Sequence, residues 1–173
     1  MVSAAWYTVL VALVGLERLA ELVVAKRNFA LSLRAGGHEA SPGHYPVMVM
    51  LHTGLLAGCL VEVWTASRPF VPVLGWTMLA VVVASQALRW WCIRTLGSQW
   101  NTRIVVVPGA RRVTGGPYRL LDHPNYVAVV AEGLALPLVH SVWVTALVFT
   151  AANAVLLSVR IRAENAALRA AYV

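Results

Sequence analysis

Residues 126–161 read YVAVVAEGLALPLVHSVWVTALVFTAANAVLLSVRI. A helix crosses the roughly 30 Å hydrocarbon core of a bilayer in roughly 20 residues, and this apolar run of about 36 is too long for one such span. Pro137 lies inside it, followed by Val139, His140 and Ser141. Proline removes a backbone donor and disfavours a straight helix. The run therefore divides into two helices, about 125–137 and 140–162, joined by a tight turn as a helical hairpin.

Working outward, three more apolar blocks precede it, at Val2–Val24, Tyr45–Trp64 and Phe70–Ile93. The chain of 173 residues is 60% hydrophobic and only 12% charged. A soluble domain carries about 25% charged residues, so soluble globular and disordered classes are both excluded. The first block has no basic residue before Arg18 and no small-residue cleavage site. It reads as a retained helix rather than a signal peptide. The expected fold is all-α, a polytopic membrane protein of about five transmembrane helices. It forms a single domain over 1–173, with three N-terminal helices in 1–93 and a second half in 94–173.

Lysine and arginine set the expected orientation. Lys26, Arg27 and Arg34 follow the first helix, Arg94, Arg103, Arg111, Arg112 and Arg119 lie between the third and fourth, and Arg160, Arg162 and Arg169 end the chain. The other two connections carry only Arg68. Five spans put all three basic segments on one side, with the N-terminus outside and the C-terminus cytoplasmic, in a bacterial plasma membrane. The formal net charge of +7 then reflects topology and contact with anionic lipid headgroups, not nucleic-acid binding. Trp64, Trp90, Trp91, Trp100 and Trp143 fall near span ends and read as interfacial anchors. Oligomeric state is not legible.

Ionisable residues inside spans are costly. Glu17, Arg18 and Glu21 fall within little more than one turn, and are expected to neutralise one another or to pair with Lys26. Glu62 and Arg89 are expected to snorkel from span ends. Cys59 and Cys92 sit in apolar blocks without metal spacing, and His38, His44 and His52 suggest no metal site.

The connection from Leu96 to Tyr126, LGSQWNTRIVVVPGARRVTGGPYRLLDHPNY, is dense in Gly, Pro, Arg and aromatic residues. It has no GK[ST] phosphate loop and no GxGxxG after a strand. Ile104–Val107 reads as an extended piece with no sheet to join. Pro124 suits the first turn of a helix, with Asp122 or His123 near its cap. Free N–H groups at such a helix start favour anions. Glu132 lies at lipid depth on the same helix and is expected to face protein. Arg160 and Glu164 share a face of the last helix at i, i+4.

Val113-Thr-Gly-Gly-Pro-Tyr118, Asp122-His123-Pro124-Asn125-Tyr126 and Arg160-Ile-Arg-Ala-Glu164-Asn165-Ala-Ala-Leu168 together resemble the isoprenylcysteine carboxyl methyltransferase family. The resemblance covers Leu96 to Leu168. It implies a membrane methyltransferase using S-adenosylmethionine, with Val113, Tyr118, His123, Pro124, Tyr126 and Glu132 holding that cofactor. It makes Arg160 and Glu164 the catalytic pair and implies no metal. The 94–124 connection is expected to cap the site at the inner membrane face, with the polar donor arriving from the cytoplasm and a lipophilic acceptor from the bilayer. Two positions depart from the pattern: Asp122 stands where the family usually has a basic residue, and Asn165 where a second acid is common. The run Trp100–Gly109 is similar to a bacterial branch associated with O-methylation of long-chain alkylpyrones and alkylresorcinols. The implied reaction is therefore methylation of a polyketide hydroxyl. The alternatives are methylation of a prenylcysteine-like or other lipidic carboxylate, of a phospholipid amine headgroup, or a non-catalytic transporter or structural subunit. Repeated halves and broken midplane helices, the marks of many transporters, are not evident.

Overall fold

A computed structural model describes residues 2–171. The chain is mostly helical, with α1 over Val2–Arg34, α2 over His44–Thr65, α3 over Pro72–Leu96, α4 over Pro124–Leu138 and α5 over Trp143–Ala171. Among the described residues three stretches are long and apolar enough to cross a membrane: His44–Thr65, Pro72–Gln99 and Trp143–Ala170. The second includes the 3-10 turn that continues α3. At 15 residues, about 22 Å at ~1.5 Å per residue, α4 is shorter than a bilayer core. One face of it is buried, including Ala128, Glu132, Leu136 and Pro137, while Val127, Val130 and Leu134 are exposed.

The helices pack through small residues and cross-helix polar contacts. A Cβ on Gly133 of α4 would lie 2.0 Å from Phe149 of α5, so only glycine permits that approach. Tyr7 of α1 is fully buried and donates to the carbonyl of Leu136. Leu55, Cys59, Val82, Leu136, Val139 and Phe149 contribute to a core shared by all five helices.

Glu62 does not snorkel. It is buried on α2, where its carboxylate accepts from the Val144 and Thr145 amides at 3.2 and 2.8 Å and pairs with Arg68. Those amides have no partner inside α5, so a carboxylate from a neighbouring helix caps them and meets the positive end of the helix dipole.

Three further expectations are corrected at the opposite end. The extended piece does find a partner: Val105–Val106, strand β2, pairs antiparallel with His38–Glu39, strand β1. The fold is therefore helical with a small two-stranded clasp. Trp100 is no interfacial anchor, because it is buried against Cys92 and Ile93. Arg89 is buried rather than snorkelling, for reasons given below. The clasp joins the α1–α2 and α3–α4 connections, and Arg160 of α5 donates to Thr102 O. The three basic segments thus meet at one end of the bundle.

Candidate functional site

The basic end is closed by the connection between α3 and α4. Arg103 anchors it. Its guanidinium holds both oxygens of Glu39 on β1 at 3.1 and 2.8 Å, and lies over the rings of Tyr45 and Phe29 at 4.1 and 5.0 Å. Cation–π contact and a forked ion pair together fix one side chain against α1, β1 and α2. Asn28 of α1 adds hydrogen bonds to the Gly97 and Trp100 carbonyls. Gly116, at φ +54, lets the next turn bring Tyr118 back toward α3. Burial raises the Tyr118 phenol well above its ordinary range, leaving it a protonated donor.

Beneath this cap, α1, α3 and α4 bury a network of ion pairs. Arg18 pairs with Glu21 at 2.6 Å and with Glu132, and Arg89 reaches Glu21 at 3.3 Å and Glu132 at 2.8 Å. Arg89 also approaches Asn125 at 3.5 Å, and Gln86 donates to Glu17. Charges on one helix are thus answered across three. A guanidinium this deep is tolerated because carboxylates surround it. Lys26 forms no ion pair among the described residues.

The wall is formed where the α4 start meets α5. His123 occupies the cap position of α4, with Pro124 in the first turn. Its ring stacks on Tyr126, and Nε2 lies 3.1 Å from Asn165 Oδ1. Tyr126 donates its hydroxyl to Glu164, which lies 3.9 Å from His123 Nδ1. Arg160 and Glu164 share a face yet do not pair with each other. Arg160 is buried and holds Thr102 O at 2.9 Å. Asp122 is exposed and pairs with Arg112 at 3.3 Å, a surface pair of little energetic weight.

Cap, floor and wall enclose one cavity of about 930 Å³. Val113, Tyr118, His123, Pro124, Tyr126, Arg160 and Glu164 all line it. Glu132 does not. It stands behind Arg18 and Arg89, which do, so it reaches the cavity only through them. The sequence reading missed His52, Asn153, Trp100 and Arg103 as lining residues. Asn153 stands out as a polar residue in the middle of an apolar helix, and Trp100 and Arg103 lie in the Trp100–Gly109 run. The basic end carries most of the polar lining, and between α1 and α2 the wall carries Leu19, Leu22, Met48, Val49 and Leu56 beside Arg18, Glu21, His52 and Thr53.

Comparison with known proteins agrees with this geometry. Residues 78–170 match the isoprenylcysteine carboxyl methyltransferase (ICMT) family. An uncharacterised protein of Bacillus subtilis strain 168, YpbQ, is 39% identical over 164 residues, covering 94% of this chain and 96% of that protein. The chain therefore belongs to the ICMT family, whose methyltransferases generally use S-adenosylmethionine.

The donor set suits that molecule. Four buried polar atoms without partners belong to residues that line the cavity: Trp100 Nε1 and Arg160 Nε as donors, Asn101 Oδ1 and Asn153 Oδ1 as acceptors. Buried polar groups are rarely left unsatisfied. A ligand bearing a carboxylate, an ammonium and hydroxyls offers partners of both kinds.

Proposed function

We propose that this chain is a membrane O-methyltransferase that moves a methyl group from S-adenosylmethionine to a hydroxyl of a lipophilic, long-chain polyketide such as an alkylpyrone or alkylresorcinol. The observation that carries this reading is the continuity of one cavity, which holds His123, Tyr126, Arg160 and Glu164 at the basic end and runs on to Leu19, Leu22, Met48, Val49 and Leu56 between α1 and α2. A water-soluble donor and a greasy acceptor need such a meeting place. In this reading α1 and α4 complete a five-helix bundle, the N-terminus lies outside, and the basic end faces the cytoplasm of a bacterial cell.

When bound, S-adenosylmethionine supplies an electrophilic methyl on its sulfonium. Val113, Tyr118, His123, Pro124 and Tyr126 would hold it, with Glu132 supporting them through Arg89 and Asn125. Arg160, which lines the cavity, would stabilise negative charge on the acceptor oxygen. Glu164 keeps one carboxylate oxygen for the reacting face while the other receives the Tyr126 hydroxyl. The cap excludes water, so that alignment rather than strong chemical activation lowers the barrier.

One observation favours a second reading. The buried guanidinium of Arg160 is built to face an anion, which suits a lipidic carboxylate acceptor such as a prenylcysteine.

Calorimetric titration of the purified protein with S-adenosylmethionine and S-adenosylhomocysteine tests the cofactor, with His123→Ala as control. Binding lost in the variant supports the site. No binding by folded protein in detergent or with lipid present would sink the methyltransferase reading and favour a transporter or structural subunit. Turnover of alkylpyrones and alkylresorcinols against lipidic carboxylates then separates the two acceptors.

A further inference from the structure

The segment between the 3-10 turn Gly116–Arg119 and α4 carries two large apolar side chains left open to the outside. Leu120 is 78% exposed and Leu121 44%. Single exposed leucines are ordinary on a protein surface, so the surroundings of this pair decide its meaning. The 3-10 turn before them packs against the last two turns of α3: a Cβ on Gly116 would stand 2.5 Å from Thr95 Oγ1 and 3.1 Å from Trp91 Nε1. Trp91 and Thr95 belong to the stretch Pro72–Gln99, long and apolar enough to cross a membrane. Trp91 is itself half exposed, and a tryptophan exposed near a span end marks the headgroup level. The two leucines are thereby held where α3 leaves the hydrocarbon. Three residues after Leu121, α4 begins, and Val127, Val130 and Leu134 are exposed along it. Cations flank the pair. Arg119 precedes Leu120 and is exposed, and Arg112, also exposed, is held nearby by its 3.3 Å contact with Asp122. Apolar side chains flanked by arginines at a span end suit a segment lying in the interface of an anionic bilayer.

We infer that Arg119–Leu121 is a membrane anchor: Leu120 and Leu121 enter the acyl region of the leaflet at the basic end, Arg119 and Arg112 meet anionic lipid phosphates, and the cap of the cavity is tied to the bilayer through them. Burial of the leucines removes apolar surface from water, and each arginine near the headgroups adds electrostatic attraction. The anchor is continuous with the cavity. Val113 and Tyr118 before it and His123 two residues after it all line that space. The cap then has two attachments of different kinds. Arg103 ties its first half to Glu39 of β1, and the lipid surface ties its second half. A second copy of this chain is the competing occupant. Two leucines make a small patch for a protein interface, which buries roughly 800 Å² per partner. Across a two-fold contact the same patch meets itself, so the flanking arginines would repel their counterparts. The inference requires only that α3 crosses the membrane, and it stands apart from the methyltransferase reading.

The test places a nitroxide at Leu120→Cys in the full chain, in nanodiscs of phosphatidylcholine with or without phosphatidylglycerol. Cys59 and Cys92 are buried, which directs the label to position 120, and the substitution replaces an exposed side chain without touching the packed core. In discs containing phosphatidylglycerol the label should collide more often with oxygen, which partitions into lipid, than with a water-soluble nickel chelate. Independently, chymotrypsin should cut the unlabelled chain after Tyr118, Leu120 or Leu121 about fivefold more slowly in discs with phosphatidylglycerol than in discs without, the worth of one arginine at an anionic surface. Arg119→Gln should remove most of that difference. A label that meets the nickel chelate more often than oxygen would overturn the inference. So would a label shielded from both reagents, which would assign the leucines to a protein contact, with a second copy if the spins couple. Cleavage that ignores phosphatidylglycerol, or responds to it equally in Arg119→Gln, would refute the anionic-lipid contact and the anchor with it.

Discussion

His123 Nε2 lies 3.1 Å from Asn165 Oδ1, joining the start of α4 to the end of α5. An amide oxygen here does for the imidazole what an acid would do, without adding charge. The His123 Nε2–H donates to it, and Nδ1 is left facing Glu164. The departure from an acid at position 165 therefore preserves the orientation of the ring.

Removing that acceptor should loosen the cofactor site without dismantling the bundle. Asn165→Leu is expected to weaken S-adenosylhomocysteine binding by roughly threefold to tenfold, the value of one ordinary hydrogen bond. Asn165→Glu should keep the affinity within about threefold of wild type. Calorimetry on both variants decides this, and equal affinity in Asn165→Leu would show that Asn165 does not orient His123.

Arg160 and Glu164 should be separable from the fold. Arg160→Ala and Glu164→Ala are each expected to lower turnover by at least about 100-fold, as expected of groups acting directly at the reacting atoms. Arg160→Lys should not restore it, because an ammonium cannot hold Thr102 O and still present a planar guanidinium to the cavity. Turnover by mass spectrometry, with thermal unfolding as the control, checks both. Near-normal rates in both alanine variants would refute the site assignment.

The buried ion pairs should behave as one unit. Arg89→Met leaves Glu21 and Glu132 short of a partner and should cost about 3–5 kcal/mol. Adding Glu132→Gln should recover part of that loss, since the uncompensated charge is removed with it. Unfolding in detergent measures the cycle, and strict additivity would argue against coupling between α3 and α4 through this pair.

Close packing at Gly133 gives a steric prediction. Gly133→Ala drives a methyl into Phe149 and should destabilise by about 1–3 kcal/mol. Phe149→Leu in the same chain should relieve it. A fully stable Gly133→Ala protein would mean that α4 and α5 can part without cost.

The clasp should govern access to the cavity. Arg103→Ala removes the ion pair to Glu39 and the stacking on Phe29 and Tyr45. Limited proteolysis should then cut within 97–123 more readily, because local opening follows from lost contacts. S-adenosylhomocysteine is expected to restore protection in the wild type more than in the variant.

The sequence by itself determined that this is a helical membrane protein, through the lengths of its apolar blocks and the break at Pro137. It also marked a few residues of the cavity lining, because His123, Tyr126, Arg160 and Glu164 stand out against apolar surroundings at recognisable spacing. Local patterns carry such information because period, hydropathy and helix-start chemistry depend on neighbours in the chain.

Only the tertiary structure decided the rest. Arg89 looked like a snorkelling side chain until Glu21 and Glu132 from two other helices were seen to surround it. Glu62 looked the same until the amides of α5 arrived beside it. Val105–Val106 had no visible partner until the chain folded His38–Glu39 against it. His52 stood out only as a histidine without metal spacing, and its place in the cavity wall depends on segments distant in the chain. In each case the deciding group comes from a different element. Whether a charge is neutralised or an acceptor left free is a matter of three-dimensional neighbours, which spacing along the chain does not encode.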